Sequence, residues 1–199
     1  MRRLIVILGS AVLLLASVSP AMAARPIKSS GAWQQANAFS SSCETQGANT
    51  VCTDVGIDAF AFDDEFSDAC VWMFTYSVGR NGQFRPISDA SGCAPASSFS
   101  VAAGASSAQL SATQVQLYSC NQRTCVAGDT VTVAASWTAI SGSSTYSGRA
   151  TYTDGSCTYR QSWSGASSQA SASFSVGTTD YVGDGFILRE DFTVTERCR

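Results

Sequence analysis

Histidine does not occur anywhere in the 199-residue chain, and Lys28 is its only lysine. The first absence removes the base of Ser-His-Asp and Cys-His catalysis and the commonest metal ligand. The second confines any Ser-Lys arrangement to one residue near the start. Also missing are a G-x-S-x-G turn, a C-x-x-C pair, a D-x-D-x-D-G loop and an N-x-S/T acceptor. Charge is sparse at 14%, with 12 basic residues against 15 acidic ones, and beyond Arg2-Arg3 the arginines stand singly rather than in a run. A nucleic-acid partner needs a positive face to displace counterions, so none is expected. Apart from the first residues, nothing shows sustained 3.6-residue periodicity, which argues against helices.

The start of the chain does carry a pattern. Met1-Arg2-Arg3 is basic, Leu4 to Leu15 is apolar, and Ala21-Met22-Ala23 is a small-x-small site. Together these describe a secretory signal peptide over 1–23, cleaved after Ala23. The apolar run is shorter than the ~20 residues of a spanning helix. A secreted, extracellular protein without a membrane contact after cleavage is expected, with 24–32 as a loose lead-in and 33–199 as one domain. The excess of arginine over lysine and the abundant alanine fit a bacterium with a GC-rich genome.

The eight cysteines, Cys43, Cys52, Cys70, Cys93, Cys120, Cys125, Cys157 and Cys198, all follow the cleavage site. An even number in an exported chain implies disulfides. Pairing between neighbours in chain order is the expected connectivity.

What remains is dominated by two-residue alternation, the mark of strands with one face buried. It runs through Val51–Ala59, Cys70–Val78, Leu110–Tyr118, Val131–Trp137, Ala170–Val176 and Phe186–Val194. Gly47, Asn81-Gly82 and Asp154-Gly155 supply turns. Pro86 makes its strand an edge or ends it early. Residues 88–107, rich in Ser, Ala and Gly, read as a long connection with a short strand at Phe99–Val101. Leu117 to Tyr159 reads as a four-strand meander, with Gly165 as a turn beyond it and Gly177, Gly183 and Gly185 as a loop. The predicted fold is an all-β, disulfide-braced antiparallel β-sandwich, in either an immunoglobulin-like or a jelly-roll-like order.

Four groups of residues are candidates for function. Asp63, Asp64, Glu65 and Asp68 form a dense acidic run offering oxygen ligands of the kind calcium takes; a solvated loop is the plainer reading, and no other cofactor is implied. Asp180, Asp184, Glu190 and Asp191 are carboxylates that a glycosidase pair would draw on. Arg123, braced between Cys120 and Cys125, resembles in outline the residue a protease inhibitor presents, although a hairpin needs such a loop anyway. Tyr146, Tyr152, Tyr159 and Trp163 share faces of neighbouring strands and form a sugar-binding platform if that face is outside. The leading expectation is a non-catalytic module that binds an extracellular surface, glycan or protein. A hydrolase using paired carboxylates is the first alternative and a protease inhibitor the second.

Overall fold

The residues that alternate in polarity become strands almost everywhere. The computed structural model describes residues 26–63, 65–120 and 124–198. Its strands are β1 (Ile27–Gln46), β2 (Asn49–Phe62), β3 (Phe66–Val78), β4 (Phe84–Pro95), the short β5 (Phe99–Val101), β6 (Ser107–Cys120), β7 (Cys125–Ala139), β8 (Ser144–Asp154), β9 (Cys157–Val176) and β10 (Thr179–Cys198). The helical element among the described residues is a 3₁₀ turn at Ala103–Ala105. No helix among them is long and apolar enough to cross a membrane.

Every pairing is antiparallel, and the strands form a single ten-stranded sheet in the order β10-β1-β2-β3-β4-β6-β7-β9-β8, with β5 beside β6. β9 also pairs with β10 from Cys157↔Cys198 to Val176↔Thr179, so the sheet closes on itself. Closure removes edges that an open sheet would offer to other chains. The fold is all-β, antiparallel and disulfide-braced, and the two layers that face each other across the core are opposite walls of one sheet. The seam lies between β4 and β6, joined by one residue pair, Ser91↔Tyr118. Gly92 permits that approach, because a Cβ there would lie 2.0 Å from the Gln116 carbonyl oxygen.

Several local expectations change. Residues 27–32 of the supposed lead-in are strand, paired with β10 from Ile27↔Glu196 to Ala32↔Asp191. Residues 88–95 belong to β4 rather than to a connection, and Pro86 sits where the β3–β4 register shifts, a place a missing N–H tolerates. The four-strand meander is interrupted: β7 and β8 do not pair with each other but share one edge of β9, β7 along 170–176 and β8 along 157–167. Gly165, Gly183 and Gly185 lie inside strands. Gly183 and Gly185 let β10 approach β1, since a Cβ on either would meet the carbonyl oxygen of Phe39 or Asn37.

The barrel is filled largely by small residues. Ala36, Ala38, Ala59, Ala61, Ala69, Ala170 and Ala172 are buried with Val55, Ile57, Val71, Val115, Val133, Leu110 and Ile187. Phe99, Trp137 and Phe174 are the large aromatic rings in this core. Trp137 reaches across to β1, where its Nε1–H donates to the Asn37 carbonyl at 2.7 Å. A short plug closes one end. Val101 of β5 donates its N–H to Gln34 Oε1 at 2.7 Å and accepts from Arg189 Nη1 at 3.0 Å. Two long polar side chains thereby satisfy backbone groups that a strand end would otherwise leave unpaired.

The cysteines join in chain order, Cys43–Cys52, Cys70–Cys93, Cys120–Cys125 and Cys157–Cys198, the pattern anticipated from the sequence. Each bridge links residues directly opposite on adjacent strands. With partners separated by 5 to 41 positions in sequence, loop closure in the unfolded chain is worth roughly 2–4 kcal/mol per bridge. Four disulfides belong to an oxidising compartment.

Candidate functional site

Beyond the plug, four strand segments continue as a wing: 27–32 of β1, 191–198 of β10, 157–164 of β9, and β8. Their register sets up rows that run straight across the sheet. One row is Gly148–Trp163–Phe192–Gly31, the next Tyr146–Gly165–Glu190–Trp33, and another Tyr152–Tyr159–Glu196–Ile27. Residues in one row share a face, and residues two positions along a strand share it too. Tyr146, Tyr152, Tyr159 and Trp163 therefore lie together. Their face is opposite to the one that continues inward as Ala166, Ala170 and Ala172, so they lie on the outside of the barrel.

Glycine decides how these rings lie. A Cβ on Gly148 would sit 2.3 Å from the Trp163 ring, and one on Gly165 would sit 2.5 Å from the Tyr146 ring. Each ring leans over the bare backbone opposite it, covering a glycine that weakens a strand on its own. Phe192 covers Gly31 in the same way, and in the barrel wall Trp72 covers Gly56. Tyr152 and Tyr159 stack with ring centroids 5.0 Å apart and 12° between planes. Exposure is 49% at Tyr152 and 38% at Tyr146; Tyr159 and Trp163 are half-buried. The aromatic surface continues past Trp33, which stacks on Phe60, and through Phe192, Phe62 and Phe66.

Two carboxylates hold the phenols in place. Tyr159 donates its hydroxyl to Glu196 at 3.2 Å. Tyr146 donates to Glu190, and its partial burial together with that acceptor pushes its pKa up to about 12. Tyr159 is raised in the same direction by burial and by Glu196. Both tyrosines are fixed as neutral donors, leaving each carboxylate with further lone pairs for a ligand hydroxyl.

Compared with family models, with curated proteins and with solved structures, the chain finds no match.

Among the described residues, the other candidates lie as follows. The acidic run is divided by the β2–β3 turn. Asp63 accepts from the Ala32 N–H, Glu65 closes the turn through its N–H to the Phe62 carbonyl, and Asp68 lies on β3 opposite Phe60. Asp64 lies outside the described residues. Among those described, the trio close enough to share a metal ion is Cys157, Glu196 and Cys198, and its two cysteines are joined in a disulfide. Asp180, Asp184 and Glu190 follow one another along β10, with about 13 Å between the first two, whereas Asp191 points to the other face. A glycosidase pair needs two carboxyl groups about 5–9.5 Å apart across a cleft, and these residues do not supply it. Arg123 lies outside the described residues.

Sequence reading misses Trp33, Phe192, Glu190 and Glu196 as companions of the platform. Period-two parity within β10 already groups the last three. Only the register brings them beside Tyr146 and Tyr159.

Proposed function

We propose that the chain is an exported, non-catalytic binding module, from a bacterium, whose outer wing face holds the rings of an extracellular glycan. The observation that carries this reading is the set of aromatic rings laid over glycines on one outward face. Apolar C–H faces of a sugar cover such rings while polar tips and carboxylates beside them take its hydroxyls. Glu190, Glu196 and Gln161 stand in the same rows or between them. Support for export comes from the first 23 residues, which have the order of a signal peptide, and from the four disulfides.

The experiment is a glycan-array screen of the secreted, oxidised protein, followed by calorimetry on the best ligand. Trp163→Ala and Tyr152→Ala should each weaken binding at least about tenfold, as expected when a stacking ring is lost, with circular dichroism unchanged. Retention of no glycan, or full affinity in both variants, would sink the proposal.

A further inference from the structure

The wing has a second face, and its chemistry is the reverse of the first. Moving one residue along each strand gives Ser30–Thr193–Ser162–Arg149, then Ala32–Asp191–Ser164–Ser147, and on the other side Lys28–Thr195–Arg160–Thr151. No aromatic ring occurs in these rows. Arg197, opposite Thr158, shares the face. Ser30, Ser147, Ser162, Ser164 and Thr193 line an open groove of about 820 Å³ with Arg149, Asp191 and Asp63, and the Gly31–Phe192–Trp163–Gly148 row runs between them. That volume is within the range of small-ligand sites.

Charge on this face is one-sided although the whole chain is acidic, at net −3. Arg149 lines the groove with Asp191 and Asp63, and Lys28, Arg160 and Arg197 continue the same face beyond it. Both carboxylates are engaged: Asp191 is in an ion pair with Arg189 at 3.2 Å, the ion pair found among the described residues, and Asp63 accepts from Ala32. Arg149 and Arg160 occupy diagonal positions on β8 and β9, which places their Cα atoms roughly 7–8 Å apart. Two guanidinium groups at that spacing repel, and an anion between them relieves the repulsion.

We propose that this inner face, from the groove at Arg149 along to Arg160, is a second binding site, for a linear glycan bearing carboxylate or sulfate groups. Guanidinium groups pair with the anionic substituents, in the planar two-point geometry that arginine favours. Hydroxyls along the floor exchange hydrogen bonds with sugar hydroxyls. A single-stranded nucleic acid would look for stacking rings as well as cations, and the rows that carry these cations have none; a duplex would need more cations than the four single ones of this face. The inference stands apart from the outer platform, since the cations of this face and the rings of the other lie on opposite sides of the same strands.

Three labelled probes of similar length separate the possibilities: an oligogalacturonate, a heparin-derived oligosaccharide and neutral maltohexaose, with a DNA duplex as a fourth arm. Fluorescence anisotropy on the oxidised protein should show binding of the carboxylated or the sulfated probe, and the stronger of the two identifies the substituent. Affinity should fall as salt rises, because a few released counterions are involved. The double variant Arg149→Ser, Arg160→Ser should lose roughly tenfold or more, while Tyr152→Ala keeps that binding. Failure of both anionic probes at low salt overturns the site, as does full affinity in the double variant. Equal or tighter binding of the duplex overturns its assignment to a glycan.

Discussion

The two halves of β9 are built to opposite patterns. From Ala166 to Val176 the inward positions Ala166, Ala170, Ala172, Phe174 and Val176 are buried, and the outward ones are Ser167, Gln169, Ser171, Ser173 and Ser175. From Cys157 to Gly165 the outward positions carry Tyr159 and Trp163, and the inward ones are Thr158, Arg160, Ser162 and Ser164. The apolar face changes sides at Gly165. The row where it changes, Gln34–Arg189–Ala166, is the row whose side chains hold Val101 of the plug. Below it an opposite wall covers the inner face. Above it no wall follows among the described residues, the inner positions Arg160, Ser162 and Ser164 are exposed, and the sheet is protected by rings on its outside. A strand needs one covered face, and the cover can be supplied from either side.

If this contrast is right, equal truncations in the two halves have unequal costs. Phe174, 3% exposed and stacked on Tyr181, should lose about 3–5 kcal/mol on mutation to alanine. Trp163→Ala, removing a half-buried ring, should cost about 1–2 kcal/mol. Denaturant melts of both variants measure the difference. Similar losses would mean that the outer rings are a core in their own right and would erase the distinction.

Opening the Cys157–Cys198 bridge tests whether the wing depends on the barrel. The bridge ties the first residue of β9 to the last of β10 across 41 positions, and replacing both cysteines by serine should cost roughly 2–4 kcal/mol. Hydrogen exchange should quicken in 157–164 and 191–198 well before it does in 166–176. Uniform quickening would show one cooperative unit rather than two regions.

The barrel half was the legible half. Alternation through Val51–Ala59 and Ala170–Val176 marks strands because one face there is continuously apolar. Gly47, Asn81-Gly82 and Asp154-Gly155 mark turns, with positive φ at Gly47, Gly82 and Gly155. β4 was hidden because its inward residues, Ala90, Gly92 and Ala94, are too small to produce a visible period. Gly165 read as a turn because a strand glycine is distinguished only by its cross-strand partner, here Tyr146. The cluster of cations on the inner face is hidden for a related reason. Arg149 and Arg160 lie across one hairpin, but Lys28 and Arg197 join them only through the register of β1, β10 and β9.

Gly165, at the point of inversion, is the position where a single methyl tests the arrangement. An added Cβ would meet the Tyr146 ring at 2.5 Å and the Arg189 carbonyl at 2.9 Å. The ring can swing away and the backbone cannot, so Gly165→Ala should cost about 1–3 kcal/mol and expose Tyr146. A companion Gly148→Ala meets only the Trp163 ring within 3 Å and should cost less. Intrinsic tryptophan emission should shift in the Gly148 variant and not in the Gly165 variant; identical emission in both would contradict the ring-over-glycine geometry.

The smallest effect is a titration, and it reports on the outer face alone. Tyr146 has its pKa raised from 10.0 to about 12, first by burial and then by the hydrogen bond and charge of Glu190. A raised tyrosine pKa means that folding favours the neutral phenol. Its contribution is therefore complete below pH 10 and disappears as pH climbs through about 12. Subtracting the near-ultraviolet phenolate titration of Tyr146→Phe from that of the unaltered protein isolates this residue from Tyr159, which is raised for parallel reasons. Glu190→Gln should bring the midpoint down part of the way, because the charge is lost while burial remains. An unaltered-protein midpoint at the ordinary tyrosine value would contradict the hydrogen bond from Tyr146 to Glu190.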